Sequence, residues 1–340
     1  MKIALVGGAG LIGSHLALSL RAPAHEVLVV DALLVNNLYS LFEQRDDPLT
    51  PVYLDMIEER LHLLKLADVH VVQADARDYH LLSKVLKTFA PDKILHLAAV
   101  AHIDRANKDP WSTLDHSMRT LENTMDVARA LKVQQFVFFS SSTVYGDFIT
   151  PTVTEASACN PFGIYGRMKY ASEQLVHAYG EVFKLPYTII RPCALYGPRC
   201  ISGRVTQRFL ENAYFERPST IQGVNSMHDF TYIGDLVHGV ERVLHADNYD
   251  KATFQTFNLT SDKARSLGAL AKIVQQEFPS AFFTYGPVDP EKPSRGTLSC
   301  QKARELLGYK PSFSLESGMA RYCAWFRDFM EKRNAFRAVS

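Results

Sequence analysis

The chain predicts an α/β fold, a doubly wound parallel sheet joined to a smaller C-terminal lobe. Three observations carry that prediction. Short apolar runs alternate with longer helical patterns as far as about residue 190. The first run passes straight into a glycine-rich turn and then an apolar helix. After about residue 192 the elements shorten, and Gly197-Pro198 and Gly203 interrupt them. Strand–helix alternation with near-continuous apolar strands marks a parallel sheet covered on both faces.

Taken in order, residues 3–6, 27–30, 69–72, 94–97, 136–139 and 188–190 are short apolar runs and read as buried strands. Between them, 11–21, 78–89, 110–131 and 163–184 carry the 3.6-residue period of helices. Residues 33–67 break the rhythm with a loop and a Leu-rich helix that presents Leu54, Ile57, Leu61 and Leu64. Beyond 192, helices are expected near 204–215, 234–246, 266–277 and 314–333, with a strand near 219–222. The expected division is therefore a sheet domain over 1–191 and a substrate-binding lobe over 192–340.

With 340 residues, 47% of them hydrophobic, the chain can bury a large core. Its net charge is +1, from 37 basic and 36 acidic residues, and no basic tract stands out. Nucleic acid and anionic membrane are therefore not expected partners. Cys159, Cys193, Cys200, Cys300 and Cys323 form no CxxC or Cys/His cluster. They read as reduced thiols of a cytoplasmic protein, with no metal site. The N-terminal apolar run is too short for a signal peptide, and no stretch reaches membrane-span length.

The turn after the first strand reads Gly7-Gly8-Ala9-Gly10-Leu11-Ile12-Gly13. Glycines at 7, 10 and 13 permit a tight turn, let backbone approach a pyrophosphate, and let the helix pack closely on the strand. The anion would rest on the helix N–H groups near Leu11 and Ile12. Asp31 closes the second strand, where a carboxylate hydrogen-bonds a ribose 2′-hydroxyl and repels a 2′-phosphate, so NAD is expected rather than NADP. Asp75 ends the third strand beside Ala76; it suits either an adenine amine or the N-cap of 78–89. Leu97, Ala98 and Ala99 close the fourth strand with small side chains against which a cofactor could lie flat.

Tyr165 and Lys169 stand four residues apart, so on a helix they share one face. An ammonium beside a phenol favours the phenolate and lowers a pKa normally near 10. Such a tyrosine can shuttle protons near neutral pH. The hydroxyl run Ser140-Ser141-Ser142-Thr143 ends the preceding strand and could hydrogen-bond the same substrate oxygen.

Together, GGAGLIG at 7–13, Asp31, ADARD at 74–78, HLAA at 96–99, SSSTVYG at 140–146, YGRMK at 165–169, RPCALYGP at 191–198, HDFTYIGD at 228–235 and KARELLGYKP at 302–311 cover nearly the whole chain. In that order they resemble the extended short-chain dehydrogenase/reductases, in particular the nucleotide-sugar epimerases and dehydratases. The resemblance implies a Rossmann domain that holds NAD and a C-terminal lobe that grips a nucleoside diphosphate sugar, a UDP-sugar above all. It places a catalytic set on Ser141, Tyr165 and Lys169, with Lys169 also holding the nicotinamide ribose. It implies a homodimer paired through helices 110–131 and 163–184, whose apolar positions include Leu114, Met118, Leu121, Met125, Met168, Leu175, Val176 and Tyr179.

Dehydratases of this family place an Asp-Glu pair after the catalytic hydroxyl, and the related decarboxylases a Glu. Here those positions are Ser142 and Thr143, so the resemblance narrows to 4-epimerases. Their chemistry is transient oxidation at C4 to a 4-keto sugar and return of the hydride to its other face, with no net use of NAD. A 4-ketoreductase is the alternative enzyme, and a cofactor-binding scaffold the non-catalytic one. Three positions depart from the family: Ser117 and Ala194 replace asparagines, and His228 replaces the arginine that pairs with the diphosphate. Arg199, Arg204 and Arg295 are the candidate substitutes, while Ser142 and Thr143 face the sugar. Gly296 falls where the family limits sugar size, which would open the pocket to a bulkier sugar.

Overall fold

The computed structural model describes residues 1–22, 25–35, 37–42, 47–100, 103–289 and 293–339. Its centre is a seven-stranded parallel sheet. The strands, in chain order, are β1 (Lys2–Val6), β2 (Glu26–Asp31), β3 (His70–Gln73), β4 (Lys93–His96), β5 (Gln135–Phe139) and β6 (Tyr187–Arg191). Past these, β7 (Ser219–Gln222) and β9 (Phe283–Gly286) pair with each other in parallel, outside the main sheet. Between them in sequence, β8 (Gln255–Asn258) returns to the main sheet, whose spatial order is β8-β6-β5-β4-β1-β2-β3.

The expected strands form because apolar side chains on both faces find cover. Ile3, Leu5, Val27 and Val29 enter one hydrophobic cluster, while Ala4, Val6, Leu28 and Val30 enter another. Residues of alternate parity point to opposite faces, so a continuous apolar run fits only a sheet clad on both sides. The cladding helices are α1 (Leu11–Arg21), α2 (Thr50–Leu66), α3 (Tyr79–Phe89), α4 (Thr120–Leu131) and α5 (Gly163–Phe183). Later come α6 (Val205–Tyr214), α7 (Ile233–Leu244), α8 (Leu267–Glu277) and α9 (Leu315–Val339). The expected helix over 110–131 is one stretch with a change of pitch: α-helical at Pro110–Leu114, π-helical at Asp115–Arg119, then α4.

From β1 the chain moves outward through β2 and β3, then restarts on the other side with β4. The strand order therefore reverses between β1 and β4. Ligands of open α/β sheets sit at such a switch point, beyond the carboxyl ends of the strands. There the Leu97 and Ala98 N–H groups both donate to the Val6 carbonyl, at 2.8 and 3.0 Å. Among the described residues no helix is long and apolar enough to cross a membrane.

Candidate active site

A cleft opens at this switch point, and the glycine turn forms its floor. Gly7 has φ +79°, and a Cβ on it would come within 2.4 Å of the Ala98 backbone nitrogen. A Cβ on Gly13 would meet the Gly8 carbonyl oxygen at 2.4 Å, so this glycine lets α1 lie close on the turn. Gly10 differs. Its φ is −75°, and a Cβ there would meet only the Gly7 oxygen, at 3.9 Å. The protein itself does not demand a glycine at position 10, so the missing side chain leaves room in the cleft. Gly10 is also the N-cap of α1 and supplies no side-chain cap, which leaves the first N–H groups of the helix to an outside acceptor. A turn of this shape fits a pyrophosphate.

Gly7, Gly10, Leu11, Ile12, Gly13, Asp31, Asp75, Ala76, Leu97, Ala98 and Ala99 all line this one cleft, while Tyr165 and Lys169, also expected to hold the cofactor, are not part of its lining. The Asp31 carboxylate accepts the N–H of Ala9 at 2.8 Å and of Leu33 at 2.7 Å. Two accepted bonds leave it capacity for a hydroxyl. Burial raises its pKa against those two bonds and against the Arg60 charge. Asp75 faces the cleft but is not the cap of the following helix. Asp78 caps α3 by accepting from Leu81 N–H at 3.0 Å, which settles that alternative. Asp75 is instead gripped by Arg77, whose Nη2 lies 2.6 Å away.

The expected acid–base group lies on α5 and at the end of β5. Ser141 accepts from Thr143 N–H at 3.2 Å, which shapes the tight turn Ser142–Tyr145, and it acts to lower the pKa of the Tyr165 phenol. The Thr143 Oγ1 is buried with no partner among the described residues. One expectation needs correction here. Burial raises the Tyr165 phenol above its usual pKa, and the groups named as acting the other way are Arg204 and Ser141. The Lys169 Nζ instead donates to the Phe139 carbonyl at 2.7 Å, and burial brings it down to about 8 against the pull of Glu173.

Gly296 has a reason of its own in the fold. A Cβ there would sit 2.2 Å from the Pro151 carbonyl oxygen. The glycine is required by a close backbone approach beside the Thr152–Val153 and Thr297–Leu298 strand pair.

The candidate arginines part company. Arg204 lines the cleft, donates to the Leu195 carbonyl at 3.3 Å, and its charge acts to lower the pKa of Tyr165. Arg295 donates to the carbonyls of Ser142 and Gly146, both at 3.1 Å, and so orders the hydroxyl turn. Arg199 turns away toward Glu59 and His15. His228 lies on a two-residue strand, Met227–His228, directly opposite Arg265, and its ring is 5.5 Å from that of Phe230. Ser117, in the place of a family asparagine, accepts the Val100 N–H at 3.2 Å.

Sequence reasoning missed four side chains. Arg60 and His116 line the cleft, the latter carried there by the π-helical turn. Arg265 faces His228 across the short strand pair. Glu173 completes a Tyr165–Lys169–Glu173 row on α5 and binds Arg191 of β6 through two bonds of 2.9 and 2.6 Å. Its i+4 spacing from Lys169 was a readable signal.

A glycine-floored cleft at the switch point and a Ser-Tyr-Lys group whose tyrosine feels the charge of the cleft's Arg204 are the marks of an extended short-chain dehydrogenase/reductase. The sequence profile of the NAD dependent epimerase/dehydratase family matches residues 3–259, and the chain belongs to that family. NAD is its cofactor. An uncharacterized UDP-glucose epimerase of Bacillus subtilis is 29% identical over 331 residues, covering 96% of this chain and 98% of its own length. UDP-glucuronate 4-epimerase 1 of Arabidopsis thaliana is 28% identical over 350 residues, covering 97% of this chain and 77% of its own. Among solved structures, UDP-glucuronic acid 4-epimerase from Bacillus cereus, in complex with UDP-glucuronic acid and NAD, superposes with a TM-score of 0.85 at 25% identity. That match covers 96% of this chain and 99% of the other.

Proposed function

We propose that this chain is an NAD-dependent nucleotide-sugar 4-epimerase acting on a uridine diphosphate sugar. The observation that carries the reading is the hydroxyl-only set at the end of β5. Ser141, which acts to lower the pKa of Tyr165, is followed by Ser142 and Thr143 with no carboxylate at either position. Eliminating water needs both an acid and a base beside the oxidised centre, whereas inversion at one carbon needs a single proton shuttle. The names of the relatives above, UDP-glucose and UDP-glucuronate epimerases, support the same reading.

In this reading the glycine turn, Asp31, Asp75, Ala76 and Leu97–Ala99 hold the dinucleotide. NAD, when bound, supplies the redox capacity for the C4 carbon. Tyr165 takes the proton from the 4-hydroxyl and later returns it, and Ser141 hydrogen-bonds the same oxygen. Lys169 holds the nicotinamide ribose as an ammonium. Arg204 meets the sugar nucleotide where the two binding regions join, with Ser142, Thr143, His228 and Arg295 toward the sugar and diphosphate. The sheet domain over 1–191, the sugar-nucleotide lobe over 192–340, a homodimer and a cytoplasmic site of action belong to the same proposal.

The test is incubation of purified protein, without added cofactor, with UDP-glucose, UDP-glucuronate and UDP-N-acetylglucosamine. Proton NMR would then show a C4 epimer growing to equilibrium with one of them. Tyr165→Phe should lower the rate by about 10²-fold or more, the scale of a lost acid–base group. A product that appears only when NADH and a 4-keto sugar are both supplied would reject epimerisation in favour of reduction.

A further inference from the structure

Arg60 lies on α2, far in sequence from every motif discussed so far, and only 1% of its surface is exposed. Its Nη1 donates to the Ala9 carbonyl at 2.9 Å, in the middle of the glycine turn. Its Nη2 donates to the Arg199 carbonyl at 2.7 Å, in the segment that delivers Ile201, Ser202 and Arg204 to the cleft. One planar guanidinium thus spans the two halves of the cleft, with both arms on backbone. Its Nε is buried with no partner among the described residues, at the cleft wall.

The turn is held from a second side as well. Asp31 accepts the Ala9 N–H while Arg60 donates to the Ala9 carbonyl. Because peptide groups are planar, these two bonds fix two consecutive peptide planes of the turn, and so the direction in which its N–H groups point. A lysine could not do this, since its point charge lacks the fork that reaches two carbonyls at once. The Arg199 segment is anchored in turn by the Arg199 side chain, 3.4 Å from Glu59 and 3.1 Å from the His15 Nε2. His15 donates through Nδ1 to Leu11 O at 2.8 Å, and its pKa of about 3 keeps it neutral and able to accept.

We propose that Arg60 is a positioning residue that joins the dinucleotide turn to the Arg199–Arg204 segment, so that filling the cofactor cleft sets the place of Arg204 for the sugar nucleotide. The proposal rests on the reading that the cleft holds NAD, but two of its tests need no turnover. The first uses wild-type protein stripped of cofactor. Adding NAD alone should slow hydrogen exchange at the amides of residues 200–204 as well as at 7–13. Protection confined to 7–13 would overturn the proposal, whatever the sugar.

The second test compares wild type with Arg60→Lys, which keeps the charge and loses the fork. The NAD dissociation constant, measured by titration calorimetry, should rise about tenfold or more, the scale of one lost charge-assisted bond. The KM for the UDP-sugar should rise with it, while kcat at saturating NAD recovers to within about threefold, because Tyr165, Lys169 and Ser141 do not touch Arg60. An unchanged NAD constant, or a raised one with KM unaltered, would refute the link. A kcat that saturating NAD fails to restore, with a lowered melting temperature, would mean that Arg60 serves only the fold. Because Ile201, Ser202 and Arg204 line the cleft themselves, protection there supports the link only together with the variant. Should Arg60→Lys not fold, the same comparison is made with Arg60→Gln, for which an unchanged NAD constant or an unchanged KM would likewise refute it.

Discussion

Gly10 and Lys169 show how single residues divide between holding the fold and serving the site. A methyl group on Gly10 clashes with nothing among the described residues, and its backbone angle suits any residue. Gly10→Ala should therefore leave the cofactor-free protein as stable as wild type, or firmer by about 0.5 kcal/mol through reduced freedom of the unfolded chain. The methyl would occupy the space in front of the uncapped helix, so NAD affinity should fall by at least about tenfold. Thermal melts with and without NAD check both halves: equal apo melting temperatures and a smaller NAD-induced rise are expected. Lys169 works through its charge. Brought down to about 8 by burial, it is cationic at neutral pH and neutral above. Activity that depends on the ammonium should thus have an alkaline limb near pH 8, well below that of an ordinary lysine. Stability runs the other way. Between the folded and unfolded pKa values the unfolded chain holds the extra proton, so the cost of burying the ammonium, full below pH 8, is relieved as pH rises.

Elements carry the next level of the argument, and α5 is the clearest of them. Tyr165, Lys169 and Glu173 follow at four-residue steps, and Glu173 is locked to Arg191 on β6 with both groups buried. Removing one partner of a buried pair leaves the other charge uncompensated, a loss of about 3–5 kcal/mol. Glu173→Gln should lower the melting temperature and also shift the alkaline limb of the pH–rate profile below pH 8, since the carboxylate is what raises Lys169. A melting change with an unmoved limb would confine Glu173 to the fold. At this scale most of the structure was legible. Six strands and the long helices gave apolar runs and periods in sequence because each is buried on a defined face. The edge strand β8 was not, because its Gln255-Thr256-Phe257-Asn258 has only one strongly apolar residue and pairs on one side alone. Nor was the π-helical turn at Asp115–Arg119, which leaves no mark in the spacing of apolar residues. Arg60 was visible only as an arginine on the face that α2 buries, beside Met56, Ile57 and Leu64. Its partners are two backbone carbonyls, and no side-chain pattern announces those. Other motif residues proved to be staples of the fold. Asp229 accepts from Ser261, Thr260 and Leu298, and Asp235 from Ser312 and Phe313.

The whole molecule leaves one face to be explained. Of the apolar residues expected to pair two subunits, Leu121, Met125 and Val176 are fully buried within the chain's own core. The same helical region nevertheless exposes Trp111 at 74%, Leu114 at 57% and Val182 at 69%, with Phe183 close behind at 48%. Trp111 and Leu114 lie three residues apart on one helical turn, and adjoining exposed apolar side chains mark an interaction surface more often than bare surface. The stretch from Pro110 to Leu131 and helix α5 pack together, so these residues come from neighbouring elements. If the surface joins two copies about a twofold axis, as the family resemblance implies, the protein should run as a dimer by light scattering at micromolar concentration. Trp111→Asp combined with Leu114→Asp should then yield a monomer that still melts cooperatively, because neither side chain is needed inside the chain. The same variant should keep its NAD, since the cofactor residues line a cleft built from one chain alone. A wild-type monomer under these conditions would reject the dimer. A dimer that survives both aspartates would place the interface elsewhere on the molecule.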